Sequence, residues 1–100
     1  MRVAPFLALV ALAGCGGGKE ADSETIRLAQ RAYAKAISSG VDMSRGPCLG
    51  VIRKDWVADV AHDPRQDVDD DPANQCEAYR NGDAHHFVEL TPEGEYIRSG

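Results

Sequence analysis

Apolar residues recur at helical spacing across residues 23–39. One side of a helix built from this stretch would carry a continuous apolar stripe, made of Ile26, Ala29, Tyr33, Ala36 and Ile37. Asp22 or Ser23 can cap the start, and Gly40 is the usual residue to end a helix. The pattern therefore predicts one amphipathic helix of about four turns, with its stripe in the core.

Beyond Gly40 the apolar pattern changes to that of β-strands. Residues 48–53 and 56–61 are short runs with β-branched and aromatic side chains, and the polar residues 62–75 follow as a predicted surface loop. Asn81-Gly82 is typical of a type I′ hairpin turn, and Thr91-Pro92-Glu93-Gly94 of a second turn. The C-terminal quarter is therefore predicted to form a three-stranded antiparallel meander of residues 75–80, 83–90 and 95–98.

These elements predict an α+β fold in which one N-terminal helix packs on a small antiparallel β-meander. In the register set by the Asn-Gly turn, Glu77 opposes His86 and Cys76 opposes Phe87. Both faces of the meander are partly apolar, and one helix cannot cover both. Either the strand that contains Trp56 covers the second face, or that face is left open for a partner. The candidate binding surface consists of Trp56, Tyr79, His86 and Tyr96.

The N-terminus carries a different hydrophobic pattern. Arg2 precedes an apolar run over residues 3–13, which is about half the length needed to cross a bilayer. A charged start, a short apolar stretch and small residues at its end are typical of a signal peptide. The segment Leu12-Ala13-Gly14-Cys15 resembles the lipobox of bacterial lipoproteins, and this resemblance covers about the first 15 residues.

The resemblance implies that residues 1–14 are a cleaved signal peptide and that Cys15 carries covalent lipid, a thioether-linked diacylglycerol with N-linked palmitate or a similar acyl chain in many bacteria. Residues 15–22 would then be the lipidated cysteine and a flexible tether, and residues 23–100 a single small domain. Gly16 is not the aspartate that retains some lipoproteins at the inner membrane. The expected location is the extracytoplasmic side of the cell membrane or outer membrane.

The cysteine count fits an exported protein. Lipidation uses the thiol of Cys15, which leaves Cys48 and Cys76 to pair as a disulfide in an oxidising compartment. The net charge is −5, and removing residues 1–14 takes away only Arg2, so the mature chain carries about −6. This acidic balance argues against nucleic acid as a partner.

Candidate chemistry is sparse. The alternating carboxylates Asp67, Asp69, Asp70 and Asp71, together with His62, suggest a weak calcium or metal site, although Pro72 and Ala78 stand where a calcium loop needs Gly and Glu. No catalytic motif is present, so we expect no enzyme and no cofactor beyond the lipid. The sequence predicts a membrane-anchored envelope lipoprotein with a non-enzymatic binding or structural role, whose partner is an envelope protein or a glycan. A metal-binding module is the alternative.

Overall fold

The computed structural model describes residues 20–100. The predicted signal peptide, the lipobox and Cys15 lie outside these residues. The described chain forms two α-helices, four strands and three short 3₁₀ helices, in the order α1 (Ser23–Ser38), 3₁₀ (Met43–Arg45), β1 (Cys48–Arg53), β2 (Trp56–Val60), 3₁₀ (Asp67–Asp70), 3₁₀ (Pro72–Asn74), α2 (Glu77–Arg80), β3 (His86–Leu90) and β4 (Tyr96–Ser99).

Helix α1 begins as the sequence predicted and ends one residue earlier. The Asp22 carboxylate accepts a hydrogen bond from the Thr25 backbone N–H at 2.9 Å, which caps the first turn. Of the predicted apolar stripe, Ala29 is fully buried, whereas Ile37 is 48% exposed. Within residues 20–100, neither helix has the length and apolar character that crossing a membrane requires.

The four strands form one mixed sheet in the order β1-β2-β3-β4, so the fold is α+β. Strands β1 and β2 pair antiparallel, as do β3 and β4, but β2 and β3 run parallel. The predicted antiparallel meander is therefore wrong in two respects. Its first strand, residues 75–80, contains the short helix α2, and its second strand pairs with β2. The turn before β4 is confirmed, since the Gly94 N–H donates to the Thr91 carbonyl at 2.8 Å.

The wrong prediction of a hairpin between residues 75–80 and 83–90 has a local cause at Asn81-Gly82. A type I′ turn needs positive φ at both central residues, but φ is −93° at Asn81 and +87° at Gly82. Asn81 instead ends α2, where its N–H bonds to the Glu77 carbonyl at 2.9 Å, and Gly82 takes the left-handed conformation common after a helix. Accordingly, His86 does not oppose Glu77, and Phe87 does not oppose Cys76.

The register between β2 and β3 positions most of the side chains that matter below. It aligns the pairs Trp56 with His86, Val57 with Phe87, Ala58 with Val88, Asp59 with Glu89, and Val60 with Leu90. Because side chains alternate along a strand, successive pairs point to opposite sides of the sheet. We call the side with Trp56 and His86 the helix face, and the side with Asp59 and Glu89 the second face.

Each face carries its own buried cluster. On the helix face, Ala29 of α1 joins a cluster with Trp56, Ala58, Val88 and Leu90. On the second face the cluster is smaller and consists of Val57, Cys76 and Ala84, with Phe87 packed against it. Cys76 reaches the second face because it forms the predicted disulfide with Cys48, which links the start of β1 to the residue before α2.

The second face also carries two acidic side chains next to each other. Glu89 is buried and accepts hydrogen bonds from Arg98 at Oε1 and from Arg65 at Oε2, the latter at 3.1 Å. Asp59 has no such partner, and its Oδ1 atom is buried without a hydrogen bond in the described residues. Burial, reinforced by the charges of Glu89 and Asp69 and opposed by Arg65 and Arg98, raises the pKa of Asp59 to about 7.

This pKa predicts how the free energy of unfolding depends on pH. The folded state binds the Asp59 proton more tightly than the unfolded state, so this contribution to stability is full below pH 3.8 and is lost as pH rises towards about 7. Asp59→Asn should remove this pH-dependent loss of stability and raise the free energy of unfolding at pH 8 by about 2–3 kcal/mol. This value is smaller than the full pKa shift would give because Asp59 is partly exposed. Urea unfolding at pH 4, 6 and 8 measures the difference.

The control is Asp67→Asn, since Asp67 is exposed and its side chain makes no hydrogen bond within residues 20–100. Asp67→Asn should leave the pH dependence of the unfolding free energy as in the wild type. A stability difference between Asp59→Asn and wild type that stays constant from pH 4 to pH 8 would contradict the raised pKa of Asp59.

Candidate functional site

A cleft of about 610 Å³ lies on the helix face. It lies where the amino end of α1, the turn between β1 and β2, and the first residues of β2 and β3 meet. Its walls are formed by Glu20, Asp22, Thr25, Arg53, Lys54, Asp55, Trp56, Asp83 and His86. We call it the Trp56–His86 cleft. Its volume falls within the range of sites that bind small molecules or short polymer segments.

The cleft owes its shape to the two-residue turn Lys54-Asp55 between β1 and β2. Asp55 adopts φ +72°, the left-handed conformation that Asp tolerates better than most residues. Arg53 and Trp56 face each other across this turn. The guanidinium of Arg53 donates to the hydroxyl of Thr25 at 2.8 Å, which ties the turn to the first turn of α1.

Asp55 also fixes the start of β3. Its backbone carbonyl accepts hydrogen bonds from the N–H groups of His85 and His86 at 3.2 and 3.0 Å. Its Oδ1 atom lies 2.7 Å from Nδ1 of His85, and its Oδ2 atom lies 3.6 Å from Nε2 of His86. The hydrogen bond with the His85 side chain lowers the pKa of Asp55, against the opposing effect of burial. One aspartate in the turn thus positions both histidines.

Trp56 and His86 form the stacked floor of the cleft. Their ring centroids lie 4.8 Å apart with an angle of 25° between the planes. Trp56 is only 7% exposed, so its ring is mainly covered and supports the imidazole above it. The Nδ1 atom of His86 is buried and makes no hydrogen bond within residues 20–100. The cleft therefore presents positively and negatively charged side chains next to the stacked rings of Trp56 and His86.

The structure brings together two of the four residues predicted as a binding surface. Trp56 and His86 share the cleft, whereas Tyr79 lies on the second face, where its ring packs edge-on against Phe87. Tyr96 is 40% exposed on β4, and its hydroxyl lies 2.9 Å from that of Ser99. The sequence did not single out Asp55, although a Lys-Asp pair between two β-runs is a signal for a tight turn.

The predicted metal loop sends its carboxylates to different places. Asp69 is buried and accepts hydrogen bonds from the backbone N–H groups of His62 and Gln66, each at 2.9 Å. These bonds lower its pKa, although burial acts in the opposite direction. Asp70 pairs with Arg65 at 2.9 Å, Asp71 caps the next 3₁₀ helix, and Asp67 is exposed. Within residues 20–100, no three acidic, histidine or cysteine side chains are placed to hold one metal ion.

Asp69 has a structural role that the sequence did not reveal. Its Oδ1 atom lies 3.0 Å from Nδ1 of His62, in addition to the two backbone hydrogen bonds. These contacts close the segment between β2 and the 3₁₀ helix Asp67–Asp70, so the predicted surface loop is folded around a buried carboxylate. Gly46 packs directly against the same carboxylate, where a Cβ atom would meet Oδ1 at 2.4 Å.

In comparisons with known proteins, no protein-family model, no curated protein and no solved structure matches the chain.

Proposed function

We propose that this protein is a non-enzymatic binding module of the cell envelope, anchored by lipid on Cys15 to the extracytoplasmic side of the cell membrane or outer membrane. Its ligand in this proposal is an envelope glycan that occupies the Trp56–His86 cleft. The cleft itself is the observation that carries the proposal. It combines ligand-sized volume with many hydrogen-bonding side chains that are held in place by the fold.

The sequence and the disulfide support an envelope location. Leu12-Ala13-Gly14-Cys15 follows a charged start and a short apolar run, as in lipoprotein signal peptides. The pairing of Cys48 with Cys76 fits an oxidising compartment. Ala21, at the end of the predicted tether, donates its N–H to the Ser99 hydroxyl at 2.8 Å. The lipid would thus attach a few residues before the chain joins the sheet.

The lining of the cleft favours a glycan over a protein partner. Seven of its nine residues are charged or histidine, and Thr25 is also polar. Protein interfaces gain most of their affinity where large apolar or aromatic anchors enter apolar pockets. Trp56 cannot supply such an anchor because its ring is covered. Many donors and acceptors around a polar depression suit a ligand rich in hydroxyl and acetamido groups.

The side chains that could act as nucleophiles or bases support binding without catalysis. Cys48 and Cys76 form a disulfide and so cannot act as nucleophiles. The hydroxyl in the cleft belongs to Thr25, which is buried and accepts a hydrogen bond from Arg53. Asp55 forms its side-chain hydrogen bond with the exposed His85, outside the cleft lining, and its Oδ2 atom lies 3.6 Å from Nε2 of His86, beyond hydrogen-bond distance. The polar groups are thus arranged to hold a ligand.

The binding proposal is tested with short oligosaccharides released from purified cell envelopes and the full chain in detergent. Trp56 is the only tryptophan, so its fluorescence reports on the cleft. We expect saturable quenching, and about fivefold weaker binding for Lys54→Ala, because this substitution removes a charged donor worth roughly 1 kcal/mol at the cleft wall.

The matched control is Lys35→Ala, because Lys35 is exposed on α1 and does not line the cleft. Its affinity should equal that of the wild type. Equal losses for Lys54→Ala and Lys35→Ala would indicate general charge attraction and contradict a site in the cleft. Fluorescence that responds only to added envelope protein, and never to the oligosaccharides, would replace the glycan with a protein partner.

A further inference from the structure

A second, smaller cavity of about 150 Å³ lies on the second face of the sheet, between strands β2 and β3 and helix α2. It shares no lining residue with the Trp56–His86 cleft. Its apolar wall includes Val57, Phe87 and Tyr79, and its polar side contains the neighbouring carboxyl groups of Asp59 and Glu89. An acidic group beside aromatic rings in a small cavity is a combination that recognises cations.

The two carboxyl groups differ in what they can still bind. Glu89 has one oxygen bonded to Arg65 and the other to Arg98, so its acceptors are used within the protein. Asp59 has no hydrogen bond to Oδ1, although this atom is fully buried. A buried acceptor without a donor is costly, and such groups in native proteins call for an explanation. Since Oδ1 has almost no accessible surface, a ligand in the cavity would reach Asp59 through the other carboxyl oxygen, Oδ2.

The charged groups around the cavity differ in whether they are already paired. Arg65 donates to Asp70 as well as to Glu89, and Arg98 donates to Glu89, so both guanidinium groups are already paired. Arg80, which also lines the cavity, is exposed at the end of α2, and its side chain makes no hydrogen bond within residues 20–100. No guanidinium is bonded to Asp59. Asp59 and Arg80 are therefore the two charged groups of the lining without a hydrogen-bonded partner in the described residues, and an ammonium ligand would pair with Asp59.

The aromatic wall and the volume restrict the ligand further. The rings of Tyr79 and Phe87, which both line the cavity, meet edge to face with centroids 5.5 Å apart. Tyr79 is 44% exposed and stands at the mouth of the cavity. The volume of about 150 Å³ is about a quarter of that of the Trp56–His86 cleft, which favours a short alkyl chain with one charged end over a sugar ring with its substituents.

The geometry points to a binding site for a primary ammonium group, in which Asp59 accepts the N–H donors and Tyr79 and Phe87 enclose the alkyl chain. The ammonium group can belong to a small alkylamine or to a lysine side chain of a peptide. Since burial raises the pKa of Asp59, binding of a cation near pH 7 should release a proton from this carboxyl group. The inference does not depend on the glycan site, because the two sites lie on opposite faces of the sheet.

The test is isothermal titration calorimetry with n-butylammonium chloride and the oxidised full chain in detergent at pH 8. We expect saturable binding at millimolar concentration, at least tenfold weaker binding for Asp59→Asn, and unchanged binding for Asp67→Asn. At pH 7 the heat should depend on the ionisation enthalpy of the buffer, which reports the released proton. A blocked tripeptide with a central lysine, compared with its norleucine analogue, shows whether a peptide lysine enters the same site.

Three results would overturn the inference. These are no saturation at 50 mM n-butylammonium, equal affinities for the wild type and Asp59→Asn, and binding of n-butyrate in place of the amine, which would indicate an anion site at Arg80. Asp59→Asn is expected to remain folded, since it removes a buried charge. Independently of that variant, the wild type should bind n-butylammonium at least tenfold more weakly at pH 5.5 than at pH 8.5, and a flat pH profile would also count against the site.

Discussion

Cys15→Ser is expected to abolish the incorporation of lipid into the protein. The resemblance of residues 12–15 to a lipobox implies at least two acyl chains on Cys15. Each buried methylene contributes about 0.8 kcal/mol, so two chains hold a protein stably where a single chain does not. Fractionation and metabolic labelling with a palmitate analogue measure the change.

The other two cysteines provide the matched control for this experiment. In the double variant Cys48→Ala/Cys76→Ala, the label and the membrane association should remain, because these thiols form a disulfide and are not predicted to be acylated. Retention of the label in Cys15→Ser would contradict the lipid anchor. Loss of the label with retention in the membrane fraction would support acylation of Cys15 and indicate that an uncleaved apolar run over residues 3–13 also holds the variant at the membrane. A wild type that carries no label would remove anchoring on Cys15 from the proposed function.

The sequence predicted elements with strong local signals. The stripe around Ala29, the capping by Asp22 and the turn before Gly94 depend on residues within one or two helical turns or one hairpin. The cap and the turn are present in the structure, whereas only Ala29 of the predicted stripe is buried and Ile37 is exposed. The disulfide was predicted from residue counting combined with the expected compartment, and that argument needs no knowledge of the fold.

The sheet was predicted less well because its central pairing is not local. The parallel contact between β2 and β3 joins residues about 30 positions apart, and no spacing in the sequence indicates which strands will become neighbours. Asn81-Gly82 was misleading because the same glycine conformation serves both a hairpin turn and a helix end. Only the φ of Asn81 distinguishes the two, and it is set by the short helix before it.

For the candidate sites too, the sequence indicated some of the residues but not how they are arranged in the fold. His86 and Trp56 were singled out as chemically notable, but their stacking follows from the parallel register. The sequence did not indicate Asp59 as a functional candidate, because an aspartate within an apolar run fits the ordinary alternation of side chains along a strand. Its importance depends on the alignment with Glu89, on Arg65 bonding to Glu89, and on the cavity beside it. These are tertiary contacts.

Removal of the disulfide should have the largest effect on the free energy of unfolding. The bond closes a ring with a sequence separation of 28, which contains β1, β2 and the segment that leads to α2. In the chain-entropy model such a ring stabilises a protein by roughly 3–4 kcal/mol. For a single small domain this is a large share of the total stability. We expect the double variant Cys48→Ala/Cys76→Ala to lose about 3 kcal/mol in urea unfolding, and its m-value to rise as the unfolded chain expands.

The structure also predicts where the double variant loosens first. Helix α2 has only four residues, which is too short to be stable alone, and it begins directly after Cys76. The N–H groups of Arg80 and Asn81 bond to the carbonyls of Cys76 and Glu77, so their hydrogen exchange should accelerate before that of β3. Reduced wild-type protein should match the variant in both measurements.

The local effect links the disulfide to the ammonium site, because Tyr79 lies in α2 and Asp59 lies on the sheet. Loosening α2 should weaken n-butylammonium binding under conditions where most of the double variant is still folded. The Trp56–His86 cleft contains no residue of α2, so its fluorescence response should persist. If the folded variant binds n-butylammonium with wild-type affinity, the disulfide acts only on global stability, and Tyr79 does not form part of the ammonium site.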